Sequence, residues 1–198
     1  MEWYEDEVRS MERTRDAVPP PPGSVAFYGG SSIRLWSTLA ADFVGVDVVN
    51  IGFGGATLES CVYFFDRLVA PTRPRSLVVY AGDNDLGDGR SPEDVLASFR
   101  ALLRKVPGRV GPIPFTFLSI KPSPARWYLD ERIRRANTMV RAELDGRSWC
   151  HYLDLYPKMI DGDGRPRPEL YVEDGLHLSP AGYRLWTEIL SSHLDTIF

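Results

Sequence analysis

Short apolar runs alternate along the chain with longer segments in which apolar residues recur at helical spacing. Five runs are apolar enough to form buried strands, and they lie at residues 24–28, 46–51, 76–81, 113–120 and 149–155. The segments that follow them predict helices at residues 33–43, 57–68, 91–106, 127–144 and 179–194. Buried strands that alternate with helices are typical of a parallel sheet covered on both faces, so the pattern predicts an α/β fold.

Two of the predicted helices begin at clear capping signals. Ser91 is a favourable N-cap, Pro92 follows it at the first helical position, and acidic residues occupy the first turn. Ser179 and Pro180 repeat this pattern at the start of the last helix. Local chemistry therefore defines where both helices begin.

The first 22 residues differ from the alternating pattern that follows. They predict an amphipathic helix over 2–17 and then a stiff spacer of four prolines, 19–22. We therefore divide the chain into an N-terminal helix and spacer, 1–22, and one domain, 23–198. The pattern leaves open whether this helix packs across the domain or reaches a second copy in a homodimer.

Composition and charge narrow the classes of function. A chain of 198 residues with 43% hydrophobic residues suits one domain with a sizeable core, and its net charge of −4 argues against binding to nucleic acid. No apolar run approaches the roughly 20 residues of a membrane span, and the acidic N-terminus does not resemble a secretory signal. We therefore expect a cytoplasmic protein, with Cys61 and Cys150 as buried free thiols.

Polar, glycine-containing segments follow each of the first three predicted strands. These segments are Gly29–Ser32, Asn50–Gly55 and Gly82–Asp85. Ligands of open parallel sheets bind at the carboxyl ends of the strands, so the three segments predict a common site there. A fourth polar segment, Asp174–His177, lies just before the last helix.

Ser31 is a candidate nucleophile because it lies where the first strand meets a helix start. A serine hydroxyl needs a base to take its proton, and a helix N-terminus favours the negative charge of a tetrahedral intermediate. The competing interpretation is that Ser31 or Ser32 only caps the following helix. Ser31 by itself does not decide between these roles.

The sequence contains three histidines that could act as the base. His151 lies in the fifth strand, where alternation predicts a packed side chain, and His193 lies near the end of the last helix, where a cation suits the helix dipole. Asp174 precedes His177 by three residues, so its carboxylate can reach the imidazole and fix its tautomer. His177 is therefore the predicted base and Asp174 its orienting acid, with a role as a turn or cap residue as the alternative for Asp174.

Gly55 and Asn84 are candidate donors to an oxyanion. A glycine lets its N–H approach a ligand closely, and the asparagine amide donates directly. A tight turn at Gly55 and an Asx turn at Asn84 are the alternatives.

Motifs for metals and cofactors are incomplete, so none is expected. No His, Cys or acidic cluster has the spacing of a zinc site. Residues 161–163 resemble the start of a calcium-binding loop, but Arg165 and Pro166 occupy the fifth and sixth positions of that loop. The glycines of 52–54 lack the third glycine of a dinucleotide-binding motif, since Thr57 stands in its place.

Taken together, the four segments resemble those of the SGNH hydrolases, also called the GDSL lipase/esterase family. The resemblance extends from about residue 25 to residue 190. It implies a flavodoxin-like three-layer α/β/α sandwich around a five-stranded parallel sheet. It also assigns the nucleophile, the acid and the base to Ser31, Asp174 and His177. The implied oxyanion hole consists of Ser31, Gly55 and Asn84.

One position departs from the family pattern. In the family, the first of the four segments, called the first block, usually reads Gly-Asp-Ser. Here Gly30 replaces the aspartate, so the segment resembles the Gly-Ser-Ser-Ser-Ile variants of that block. A shift by one residue would make Ser32 the nucleophile. Aligning Trp36 with the tryptophan that often follows the block selects Ser31.

The resemblance implies a small-molecule ester as substrate. We expect short acyl chains, with O-acetyl groups on carbohydrates among the candidates. Trp127, Tyr128 and Tyr171 are the predicted substrate contacts, with packing as the alternative for each. A lysophospholipase or thioesterase, and a non-catalytic binding module on the same fold, are the alternative functions.

Overall fold

The computed structural model describes residues 1–198 and contains the five predicted strands. They are β1 Val25–Gly29, β2 Val48–Gly52, β3 Ser76–Tyr80, β4 Phe115–Leu118 and β5 Cys150–Leu153. The strands form one sheet in the order β2-β1-β3-β4-β5, and every neighbouring pair is parallel. The predicted α/β class and the five-stranded parallel sheet are confirmed.

Nine α-helices connect and cover the strands. They are α1 Glu5–Ala17, α2 Ser31–Arg34, α3 Leu39–Asp42, α4 Leu58–Leu68, α5 Asp83–Gly87, α6 Pro92–Val110, α7 Asp130–Leu144, α8 Pro180–Ser191 and α9 Leu194–Ile197. Short 3₁₀ helices lie at Glu2–Tyr4, Ala70–Thr72, Pro124–Leu129, Tyr156–Lys158 and Pro168–Leu170. No helix combines the length and apolar character needed to cross a membrane.

The predicted continuous helix over 33–43 is wrong. Two single-turn helices, α2 and α3, replace it, with a turn between them. The Asp42 carboxylate accepts hydrogen bonds from Trp36 Nε1 at 2.6 Å and from Thr38 Oγ1 at 2.7 Å. These bonds hold the turn closed while the Trp36 ring packs into the core.

Both faces of the sheet carry a hydrophobic core. Strand β1 contributes to both, because its side chains alternate: Ala26 and Tyr28 pack on the face covered by α4, α6 and α7, whereas Val25 and Phe27 pack on the face covered by α8. The result is the predicted three-layer α/β/α sandwich. Cys61 and Cys150 are buried free thiols, as predicted.

Helix α1 packs across the domain of its own chain. Val8 is fully buried in the core beside α4. Arg67 of α4 pairs with Glu5 at 2.8 Å and with Glu12 at 2.7 Å. Of the two arrangements that the sequence pattern left open for this helix, the structure shows packing across the domain. A homodimer stays a prediction.

Candidate active site

The sheet order brings the ends of β1, β2 and β3 together. Gly29, the last residue of β1, is in register with Gly52 on one side and Tyr80 on the other. A Cβ at Gly29 would lie 1.8 Å from the Tyr80 carbonyl oxygen, and the residue has φ +139°, so only glycine fits. The three polar segments therefore leave the sheet side by side, as the topology predicts.

Ser31, His177 and Asp174 form a hydrogen-bonded chain. Ser31 Oγ lies 3.0 Å from His177 Nε2, and His177 Nδ1 lies 2.6 Å from Asp174 Oδ2. Because an ionised carboxylate only accepts, Nδ1 carries the proton of a neutral imidazole and Nε2 is free to accept from the serine hydroxyl. The arrangement can remove a proton from Ser31.

The loop that contains Asp174 is held by the same carboxylate. Asp174 Oδ1 accepts from the backbone N–H of Leu176 at 2.8 Å and of His177 at 2.9 Å. The His177 side-chain hydrogen bond and these backbone donors lower the pKa of Asp174 to about 2. The carboxylate is therefore ionised throughout the neutral range.

Ser31, and not Ser32, faces the imidazole. Ser32 is only 2% exposed, and its carbonyl accepts a hydrogen bond from the Tyr183 hydroxyl at 3.1 Å. Only the Ser31 hydroxyl makes a hydrogen bond to His177. The geometry favours the register that places Ser31 in the site.

The other two histidines lie elsewhere. His151 is half-buried in the edge strand β5, in register with Thr116, and burial lowers its pKa. His193 is exposed after α8, where its Nδ1 lies 2.9 Å from the Ile189 carbonyl oxygen. Neither has a hydrogen bond to the serine segment.

Asn84 and the Gly55 segment lie beside Gly30, the residue that precedes Ser31. Gly55 has φ +65°, a conformation that favours glycine, and its N–H has no acceptor within the chain. Asn84 Nδ2 donates to the Ala56 carbonyl at 3.0 Å, and a Cβ at Gly30 would lie 3.6 Å from the same nitrogen. The Asn84 amide thus lies between Gly30, which precedes Ser31, and Ala56, which follows Gly55. As the first residue of α2, Ser31 also has an N–H without a helical acceptor.

Arg126, a basic residue that the sequence analysis did not predict, supports Asn84. Arg126 Nη2 donates to Asn84 Oδ1 at 3.0 Å, which leaves the amide NH₂ facing Ala56 and the site. Arg126 Nη1 also lies 3.4 Å from Asp83 Oδ2. Arg126 follows β4, the next strand in the sheet, and that position is the signal that could have identified it.

Lys121 is a second basic side chain beside Asp83, and it is buried. It is 1% exposed, its Nζ lies 3.7 Å from Asp83 Oδ2, and the rings of Tyr80 and Tyr171 lie within 6 Å of Nζ, at 5.9 and 5.8 Å. Burial lowers the pKa of Lys121, and the Asp83 carboxylate opposes that effect. Asp83, next to Asn84 in sequence, therefore lies within 4 Å of two basic side chains, Lys121 and Arg126.

The three predicted aromatic contacts have different surroundings. Tyr128 is 75% exposed, whereas Trp127 is half-buried under the Arg165 guanidinium, whose Cζ is 5.5 Å from the ring centre. Tyr171 is buried and its hydroxyl donates to the Pro122 carbonyl. Packing accounts for Tyr171, and contact with substrate stays a prediction for all three.

No three His, Cys, Asp or Glu side chains are grouped so that they could hold a metal ion. The site itself contains a serine, a histidine, a carboxylate and amide donors. These groups are suited to acyl transfer, in which a nucleophile, a base and oxyanion donors act together.

Comparisons with known proteins agree with this architecture. Residues 21–185 match the model of the GDSL-like lipase/acylhydrolase family. The chain is 28% identical over 194 residues to platelet-activating factor acetylhydrolase IB subunit alpha1 of Bos taurus, an alignment that covers 91% of this chain and 77% of the relative. The Homo sapiens protein of the same name is also 28% identical, with 78% of it covered.

Solved structures share the fold. A GDSL-like lipase from Bacteroides thetaiotaomicron superposes with a TM-score of 0.81 at 17% identity, covering 95% of this chain and 97% of that one. A carbohydrate esterase family 3 protein from Talaromyces cellulolyticus superposes with a TM-score of 0.66 at 16% identity, covering 87% and 96%.

Proposed function

As the chain belongs to the GDSL-like lipase/acylhydrolase family and is a carboxylic ester hydrolase, we propose that it cleaves small esters with short acyl chains through Ser31, His177 and Asp174. The observation that carries the proposal is the hydrogen-bonded chain from Ser31 Oγ through His177 to Asp174, with distances of 3.0 and 2.6 Å. Such a chain lets a neutral imidazole accept the serine proton as the hydroxyl attacks.

In the proposed reaction, Ser31 Oγ attacks the ester carbonyl carbon and its proton passes to His177 Nε2. The tetrahedral intermediate collapses when His177 gives that proton to the leaving alcohol, and an acyl-serine remains. Water then attacks the acyl-serine while His177 takes one of its protons. His177 returns this proton to Ser31 Oγ as the carboxylic acid leaves. Asp174 stays ionised and stabilises the imidazolium in both steps.

The proposed oxyanion hole consists of the N–H groups of Ser31 and Gly55 and the Asn84 side-chain amide. It is supported by the Gly55 N–H, which has no acceptor in the chain, and by Arg126, which holds the Asn84 oxygen. Donors held in place before the reaction stabilise the developing charge without a reorganisation cost.

Short acyl chains are favoured by the relatives, which are acetylhydrolases by name. An ester of a carbohydrate is favoured by the exposed Tyr128 ring, which can stack on a sugar, and by the fold shared with a carbohydrate esterase. The alternative of a non-catalytic binding module is disfavoured by the intact chain of hydrogen bonds at Ser31.

A series of p-nitrophenyl esters, from acetyl to dodecanoyl, tests the proposal with Ser31→Ala and Ser32→Ala side by side. We expect Ser31→Ala to lose at least about 10³-fold in kcat, because the nucleophile is gone. Ser32→Ala should keep most of the activity, and a fluorophosphonate probe should label Ser31. Undiminished turnover by Ser31→Ala would overturn the nucleophile assignment. A preference for the longest esters would favour the lysophospholipase or thioesterase alternative.

A further inference from the structure

The loop that carries Gly55 is hydrogen-bonded to the N-terminal segment. Glu7 Oε2 accepts from the Gly54 N–H at 2.9 Å, and the Tyr4 hydroxyl donates to the Gly55 carbonyl at 3.0 Å. The Gly55 N–H lies in the peptide unit that joins Gly54 to Gly55. Glu7 binds the preceding peptide unit through the Gly54 N–H, and Tyr4 binds the following unit through the Gly55 carbonyl. Both neighbours of the proposed oxyanion donor are therefore held by residues about 50 positions earlier in the chain.

This loop needs external support. Residues 53–56 lie between β2 and α4 without helix or strand structure, and two of the four are glycines. Glycine peptides have the largest freedom to rotate, and an oxyanion donor is effective only when its direction is set beforehand. The Phe53 N–H is anchored to the Gly29 carbonyl at 3.0 Å, and the Ala56 carbonyl to Asn84 at 3.0 Å. Between these anchors, the side-chain hydrogen bonds to Gly54 and Gly55 come from Glu7 and Tyr4.

The two supporting side chains are themselves held in place. The Tyr4 ring packs edge-on against Phe53 and Phe64, with ring centres 5.4 and 5.9 Å apart. The Glu7 carboxylate also lies 3.6 Å from Arg34 Nη1, in the short helix that begins at Ser31. Val8, the next residue, is fully buried. Glu7 thus connects the nucleophile helix with the oxyanion loop.

We propose that Tyr4 and Glu7 are positioning residues of the ester-hydrolysing site, because they fix the direction of the Gly55 N–H. Both lie before residue 21, where the match to the family model begins. The proposal rests on the proposed function, in which Gly55 stabilises the oxyanion. The N-terminal segment then acts as part of the catalytic architecture and not only as a cover for the core.

The proposal has a distinct kinetic signature. The oxyanion forms only as the serine attacks, so a misdirected Gly55 N–H lowers kcat and leaves substrate binding almost unchanged. Complete removal of one oxyanion donor costs about 10²–10³ in turnover. Loss of its support should cost less, roughly 10-fold for each bond removed, since the donor stays present.

The test uses the full chain and p-nitrophenyl acetate. Tyr4→Phe removes the bond to Gly55 and keeps the ring packing, and Glu7→Ala removes the bond to Gly54. We expect each variant to lower kcat about 10-fold with KM within about twofold, and the double variant to lose more. Glu7→Gln should restore most of kcat, because its amide oxygen can still accept from the Gly54 N–H.

The matched control is Arg67→Met. This substitution removes the ion pairs to Glu5 and Glu12, which hold α1, the helix that contains Glu7. It leaves the hydrogen bonds to Gly54 and Gly55 in place. We expect its kcat to stay near the wild-type value. Wild-type kcat in Tyr4→Phe and Glu7→Ala would overturn the proposal, as would an equal loss in Arg67→Met. Failure of the proposed function appears separately, as retained activity in Ser31→Ala. Tyr4→Phe carries the test if Glu7→Ala does not fold.

Discussion

Gly29 and Gly30 are adjacent residues with different structural requirements. Gly29 has φ +139° and no room for a Cβ, whereas Gly30 has φ −86° and ψ −163°, a conformation open to any residue. A Cβ at Gly30 would lie 3.5 Å from the Ala56 carbonyl oxygen and 3.6 Å from Asn84 Nδ2, which is ordinary van der Waals contact. The backbone therefore requires glycine at position 29 and not at position 30.

Gly30→Ala should raise the free energy of unfolding by about 0.4–1 kcal/mol. The reason is the smaller conformational entropy of the unfolded chain, gained without strain in the folded one. Urea unfolding measures the stability, and p-nitrophenyl acetate turnover should stay near the wild-type value. The comparison variant Gly29→Ala should fail to fold or lose activity, because its Cβ would overlap the Tyr80 carbonyl. A lower free energy of unfolding in Gly30→Ala would contradict the expectation that position 30 accepts a Cβ without strain.

At the scale of elements, Asp85 joins α5 to α4. Its carboxylate accepts from the Leu58 N–H at 2.9 Å, in the first turn of α4, where a negative charge is favourable. Burial has the larger effect and raises the pKa of Asp85 to about 6, although the Leu58 bond and Arg90 act in the opposite direction. The connection between the two helices is thus made by a carboxyl that resists ionisation.

The raised pKa of Asp85 makes its contribution to stability depend on pH. Between its ordinary value of 3.8 and about 6, the folded chain keeps a proton that the unfolded chain has released, so this contribution falls as pH rises through that window. Asp85→Asn removes the titration and keeps an oxygen for Leu58. We expect the free energy of unfolding of the variant, minus that of the wild type, to increase from pH 4 to pH 6.

Urea unfolding of both proteins at several pH values measures this difference. Other carboxyls, including Asp174 with its lowered pKa, contribute equally to both proteins and cancel. A difference that stays flat across the window would show that Asp85 titrates normally.

Helix starts with strong local signals agree with the sequence prediction. Ser91 caps α6 in a reciprocal capping box with Asp94, and the Ser179 hydroxyl accepts from Gly182 at the start of α8. The segment over 33–43 did not follow its apparent helical period, because Trp36 packs against Phe27 and other distant rings. Local caps are visible in sequence, whereas a break imposed by such packing is not.

At the scale of the whole molecule, the sheet separates two hydrophobic cores. Val106 of α6 is fully buried in one core and Leu190 of α8 is fully buried in the other. The sheet lies between them, and the two residues belong to different clusters. Substitutions at these positions should therefore act independently.

Val106→Ala and Leu190→Ala should lower the free energy of unfolding by about 1–3 and about 2–5 kcal/mol, because each leaves a cavity. In the double variant the two losses should add to within about 0.5 kcal/mol. Urea unfolding of the single and double variants measures all three values. A coupling larger than about 1 kcal/mol would mean that the two cores are linked through the sheet.

The sequence by itself determined the alternation of strands and helices, the helix caps, and the order of the four polar segments. These properties depend on side-chain period and on bonds between near neighbours, so they can be read locally. Tertiary structure decided that Ser31 rather than Ser32 faces His177, since a turn of one residue redirects the side chain. It also decided that Arg126 supports Asn84 and that the N-terminal segment holds the Gly55 loop. These contacts join residues 42 and 51 positions apart, and only the folded chain brings them within hydrogen-bond distance.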